Sequence, residues 1–148
     1  MKGESILYSS KKEDWETPQN LFDELNKKYS FTVDVASSNT NYKVQKHYTI
    51  KDNGLIQDWE NERVWCNPPY GREILKWVEK AYFSNADIVV MLLPARTDTR
   101  WFHNYIYKKD RVKIEFIKGR LKFGNSKNSA PFPSMIVTFE KLWRGKEK

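Results

Sequence analysis

Two consecutive prolines, Pro68 and Pro69, close the apolar run Val64-Trp65-Cys66, so whatever forms there must end at Asn67. Each proline fixes its own φ and removes a backbone donor, and residues 63–66 therefore read as a strand that delivers a rigid turn. The turn carries an amide in Asn67 and an aromatic face in Tyr70. An exocyclic amine on a planar ring is a poor nucleophile because its lone pair is delocalised, and activating it takes acceptors for both of its N–H groups. The Asn67 side-chain oxygen and the Pro68 carbonyl are two such acceptors, and Tyr70 can lie flat over the ring. A loop whose tyrosine covers a core edge is the plainer reading of the same four residues. The tetrapeptide suggests a planar amine or amide as substrate, with nucleobase and protein amide both open.

Around this turn the chain alternates between two periods. Thr17 is placed as an N-cap and Pro18 as the first helical residue, with Leu21, Phe22 and Leu25 at helical spacing and an end near Lys28. Residues 31–35 alternate as a short strand, residues 36–41 break it without a helix signal, and another short strand is expected around Tyr48. Asp52-Asn53-Gly54 is a turn. Beyond the tetrapeptide, residues 74–84 and 99–107 read as helices. Residues 87–93 form a continuous apolar run suited to a buried parallel strand, and 112–117 and 134–139 are further strands. Residues 119–124 make a basic loop or hairpin. This order predicts a doubly wound α/β domain with a mostly parallel sheet, an antiparallel strand late in the chain, and ligands at the carboxyl ends of strands. Residues 1–12 read as a flexible leader, 13–142 as a single domain and 143–148 as a basic tail.

With 148 residues, 39% of them hydrophobic, the chain can bury one core. No apolar stretch approaches a membrane span and the first residues hold no signal-peptide core, so a cytoplasmic protein is expected. Cys66 stands alone, and His47 and His103 show no zinc-ligand spacing; no metal is expected. From Arg100 onward there are 13 basic and 4 acidic residues, against 13 and 15 before it. That basic excess, read as a stripe on one side, suits a polyanion partner. Lys76 and Lys80, one turn apart, read as a solvated helix face.

Six segments then occur in order: Trp15-Glu16-Thr17-Pro18, Val33-Asp34-Val35-Ala36-Ser37, Asp52-Asn53-Gly54-Leu55, Trp65-Cys66-Asn67-Pro68-Pro69-Tyr70-Gly71-Arg72, Leu93-Pro94-Ala95-Arg96-Thr97-Asp98-Thr99-Arg100-Trp101 and Gly119-Arg120-Leu121-Lys122-Phe123. Together they resemble the phage-type DNA N6-adenine methyltransferase family, and the tetrapeptide resembles motif IV of amino-methyltransferases that use S-adenosylmethionine. Protein glutamine and some RNA methyltransferases share that tetrapeptide. The resemblance implies a reduced, Rossmann-like class I methyltransferase fold, S-adenosylmethionine as cofactor and DNA as partner; a monomer or weak homodimer is expected. It implies that Thr17, with Trp15 and Pro18, meets the cofactor's carboxylate at a helix start, and that Asp34 and Ala36 face its methionine part. It implies that Asp52 or Asp58, with the edge to Asp52, accepts from the cofactor's adenine amine. Asn67, Pro68, Pro69 and Tyr70 would grip and stack on an adenine flipped from the duplex, and Arg96, Arg100, Arg120 and Lys122 would contact phosphates or bases.

One departure bears on activity. Most enzymes of that fold cradle the cofactor over a glycine-rich loop after the first strand, yet residues 34–39 contain no glycine. The alternatives are a methyltransferase acting on RNA or a protein amide, and a catalytically weak relative that binds DNA.

Overall fold

The computed structural model describes residues 14–141. The expected leader and basic tail lie outside them. Helix α1 (Gln19–Tyr29) turns Phe22 inward, where its ring meets Phe31 at 5.6 Å and Trp65 at 5.4 Å. It stops where Ser30 turns left-handed (φ 51°) and Asn26 accepts from both Ser30 and Phe31 backbone N–H groups. Its start differs from expectation. Pro18 has ψ 133°, so the proline itself is the cap residue, and Thr17 lies outside the helix with its hydroxyl turned elsewhere.

Strands β1 (Val33–Asp34), β2 (Arg63–Cys66) and β3 (Ile88–Pro94) pair in parallel, while β5 (Ser134–Glu140) runs antiparallel between β3 and β4 (Val112–Phe116). The sheet order is β1-β2-β3-β5-β4. Four strands thus share one direction and the last opposes them, as the sequence pattern predicts. The core lies on β3 and β5, whose apolar runs are buried almost throughout. Helices α2 (Ile74–Phe83) and α3 (Arg100–Tyr105) follow β2 and β3; α2 buries Ile74, Trp77, Val78 and Ala81, and Thr99 caps α3 by accepting from Phe102. The result is an α/β domain with a five-stranded mixed sheet and three α-helices among the described residues.

The connection from β1 to β2 departs from a doubly wound pattern. Residues 35–62 contain only a single 3-10 turn, Gly54–Ile56, and no α-helix. No strand forms around Tyr48. The segment instead runs along the β1 edge through an isolated bridge between Asp34 and His47 and the bond from Tyr48 N–H to the Asp34 carbonyl (2.9 Å). Likewise residues 119–124 form no hairpin: they belong to an irregular loop, 117–133, between β4 and β5. Too few cross-strand bonds exist there to hold two strands, and Phe123 is drawn into the core instead.

Candidate active site

The carboxyl ends of β1 and β2 open into one cleft of about 1150 Å³. Its walls come from three stretches. One is Asp14, Trp15 and Thr17; another runs from Asp34 through Ser38 to Thr49, Ile50 and Asn53; the third includes Asn67, Pro69 and Glu73. Gly54 allows the second wall to close. A Cβ there would stand 2.0 Å from the Val35 carbonyl oxygen, so only glycine lets the 3-10 turn lie against the end of β1.

Asn67 is held by both ends of its donor capacity. Its Nδ2 donates to the Trp15 carbonyl and, at 2.9 Å, to Thr17 Oγ1. A backbone carbonyl can only accept, which fixes the orientation of the amide. The Asn67 Oδ1 is then left buried with no hydrogen-bond partner among the described residues. An unsatisfied buried acceptor costs on the order of 1–3 kcal/mol, and this one belongs to a residue that lines the cleft.

Asp34 is 3% exposed and still lines the cleft. Its Oδ1 accepts from Ala36 N–H (3.3 Å) and its Oδ2 from Lys43 N–H (2.9 Å). Burial outweighs these bonds and raises its pKa from 3.8 to about 6. A ligand ammonium in the cleft would reverse that shift. Because the folded value is raised, Asp34 contributes stability to the empty protein below pH 3.8 and loses it as pH rises through 6.

Of the ten residues expected to bind cofactor or substrate, Trp15, Thr17, Asp34, Ala36, Asn67 and Pro69 line the cleft; Pro18, Asp52, Pro68 and Tyr70 do not. Asp52 is occupied in a turn, accepting from Thr49 N–H (2.9 Å) and Thr49 Oγ1 (3.2 Å), and Asp58 likewise caps Glu60 N–H (2.9 Å). Neither carboxylate faces the cleft; Asn53 and Ile50 do. Tyr70 is 2% exposed, donates its hydroxyl to the Leu92 carbonyl (3.0 Å), and lies under Phe132 at 5.7 Å and Phe123 at 6.5 Å. Its ring is covered rather than presented.

Sequence reasoning missed Ile50, Asn53, Glu73 and Asn125. Asn53 lies inside one of the six segments but reads only as a turn residue, while Ile50, Glu73 and Asn125 carry no local signal; the 92% exposure of Ile50 appears only in the fold. Asn125 arrives through contacts with Asp14 and Glu16: it donates to the Asp14 carbonyl (3.0 Å) and accepts from Glu16 N–H (2.9 Å), while Gly124 N–H meets the Glu16 carbonyl (2.7 Å).

The four expected DNA-contacting residues, Arg96, Arg100, Arg120 and Lys122, are exposed, and no ion pair with a described residue engages them. All follow the carboxyl ends of β3 or β4, the end that holds the cleft. The basic excess does not form one stripe, however. Lys108, Lys109, Arg111 and Lys141 gather at the opposite end of the sheet around Tyr82, whose ring lies 4.6 Å from the Arg111 guanidinium. Lys80 is not wholly solvated either: it lies over Trp59 at 5.1 Å, and burial lowers its pKa. Cys66 is fully buried, and burial pushes its thiol well up, as for a packing residue. No cluster of His, Cys, Asp or Glu able to hold a metal exists among the described residues, and none of their helices is long and apolar enough to cross a membrane.

No curated protein matches the chain. The sequence model of a known family does, over residues 4–147, and so nearly from end to end. A strand-end Asn-Pro-Pro-Tyr at a cleft wall, with its amide oxygen unpartnered, thus sits in a chain that belongs to the DNA N-6-adenine-methyltransferase (Dam) family.

Proposed function

We propose that the protein transfers a methyl group from S-adenosylmethionine to the N6 amino group of adenine in DNA, with the base turned out of the duplex. The observation that carries this reading is the buried, unpartnered Asn67 Oδ1, oriented by bonds to Trp15 and Thr17. When bound, the cofactor supplies an electrophilic methyl on a sulfonium. Asn67 accepts a hydrogen bond from one N6–H and the Pro68 carbonyl from the other, which localises the nitrogen lone pair, and the proton that N6 loses on methylation passes to water. The cleft fits the cofactor's chemistry: Asp34 offers a carboxylate to its ammonium, and the wall at Tyr48, Ile50 and Asn53 offers apolar and amide surface to its adenine. Asn53 takes the place expected for Asp52. Transfer by alignment and exclusion of water needs no covalent intermediate.

Stacking on Tyr70 requires Phe123 and Phe132 to withdraw, and both belong to the 117–133 loop that carries Arg120 and Lys122. Phosphate contact at those two side chains is the proposed trigger. The reading is tested by incubating the protein with cofactor labelled in its methyl group and with duplex DNA, RNA or protein extract. Labelled N6-methyladenine in the DNA digest supports it; label in RNA or protein instead overturns it. Absence of cofactor binding with DNA binding intact would mark a non-catalytic relative.

Two further outcomes are expected. Thr17→Val should lower kcat by about 5- to 10-fold, the cost of one hydrogen bond, with a smaller rise in cofactor KM, and Thr17→Ser should restore it. A role confined to the cofactor's carboxylate would move KM instead. For Asp34, cofactor affinity measured by calorimetry should strengthen as pH rises through about 6 and level off above it, and Asp34→Asn should flatten the profile.

A further inference from the structure

The two edges of the sheet differ. At β1 the backbone is sealed by the chain itself, through Asp34 N–H to the Lys46 carbonyl (3.0 Å) and Tyr48 N–H to the Asp34 carbonyl (2.9 Å). At the other edge, β4 has, among the described residues, β5 on one side only. The bonds from Ile117 N–H to Ser134 and from Glu140 N–H to Arg111 fix the parity of that ladder: odd residues 111 to 117 turn their backbone groups toward β5, and even residues turn theirs outward. Val112 N–H is taken by the Lys109 carbonyl. The outward groups of Ile114 and Phe116 and the Val112 carbonyl face away from the sheet, an open template for another strand.

Edge strands are usually protected by charge, and β4 carries charge in a pattern that complements itself. About a two-fold axis at Ile114, an antiparallel copy of Val112-Lys113-Ile114-Glu115-Phe116 sets Lys113 opposite Glu115 of the second copy, in both directions. The same register sets Ile114 against Ile114 and Val112 against Phe116, on the face where Val112 and Ile114 are only partly buried and Phe116 is 59% exposed. Ile114 with Ile114 falls at a hydrogen-bonded pair, as its outward backbone demands, and Lys113 with Glu115 at a non-hydrogen-bonded pair, where side chains approach most closely. A shift by one residue would break all three matches at once.

We infer that β4 pairs with β4 of a second copy of this chain, joining two five-stranded sheets into one. The pairing also sets the Lys108, Lys109 and Arg111 cluster of one protomer beside Lys118 and Arg120 of the other. Two basic groups at opposite ends of β4 in a single protomer become neighbours on a shared surface for a polyanion. This inference stands independently of methyl transfer.

Sedimentation velocity on the full chain, with and without a short duplex DNA, tests it through charge reversal. Wild-type protein should reach twice the monomer mass at micromolar concentrations, at least with duplex present. Lys113→Glu alone and Glu115→Lys alone should each be monomeric, because each sets like charges across the axis. The double reversal K113E/E115K should dimerise again, as should a mixture of the two single variants. Circular dichroism of each variant guards against unfolding, since Lys113 also pairs with Glu140 at 3.0 Å. A monomeric wild type under both conditions, or single reversals that leave the dimer intact, overturns the inference.

Discussion

Asn67→Ala is expected to lower methyl transfer to adenine by about 10²- to 10³-fold, the range seen when one preorganised hydrogen-bonding group is removed from a reacting centre. Most of that loss should appear in kcat, read from single-turnover incorporation of labelled methyl, because the missing acceptor matters most as the amine leaves conjugation. Asn67→Asp should fare no better. A carboxylate offers acceptors but no donors; the Thr17 hydroxyl can turn to donate to it, but the Trp15 carbonyl, to which the amide now donates, can only accept. Repulsion there would turn the group away or draw a proton onto it. Near-normal turnover in both variants would remove Asn67 from the reaction.

Gly54→Ala is the second large effect, and it acts on the fold. The added carbon would lie 2.0 Å from the Val35 carbonyl oxygen and 3.0 Å from Trp77 Cη2. The first neighbour is backbone and cannot rotate aside, so the 3-10 turn must lift off β1 and carry Trp59, whose indole N–H donates to the Gly54 carbonyl (3.0 Å). Overpacking of this kind costs about 1–3 kcal/mol. The midpoint of thermal unfolding should fall by several degrees, and cofactor affinity should fall with it, since Val35, Gly54 and Trp77 all line the cleft. An unchanged melting curve would contradict the close approach.

The strands and helices were legible wherever an apolar run or period was bounded by turn residues. Residues 63–66, 87–93 and 134–139 come within one residue of β2, β3 and β5 at each end, because burial on both faces needs continuous apolar sequence. The candidate cleft was legible where placement is local: Asn67 and Pro69 line it directly after β2. It was illegible where a side chain's partner is distant. Thr17 looks like a helix cap from its neighbours, but its hydroxyl accepts from a residue 50 positions away. Asp52 looks like a ligand from its place after a strand-like stretch, but no strand forms there and the carboxylate serves its own turn. Gly54 was legible as a turn residue, but its packing against the Val35 carbonyl, 19 positions earlier, was not.

The bonds that tie Asn125 to Asp14 and Glu16 span 111 and 109 positions. During synthesis the segment that orients Asn67 therefore emerges first and waits for its outer support. Trp15 finds Phe123 and Phe132 only when the last loop has left the ribosome, so the cleft wall is completed by a late, non-local event. A nascent chain stalled before residue 125 would carry the tetrapeptide without the enclosure around it, and a cell making this protein gains a closed cleft only when nearly the whole chain is present.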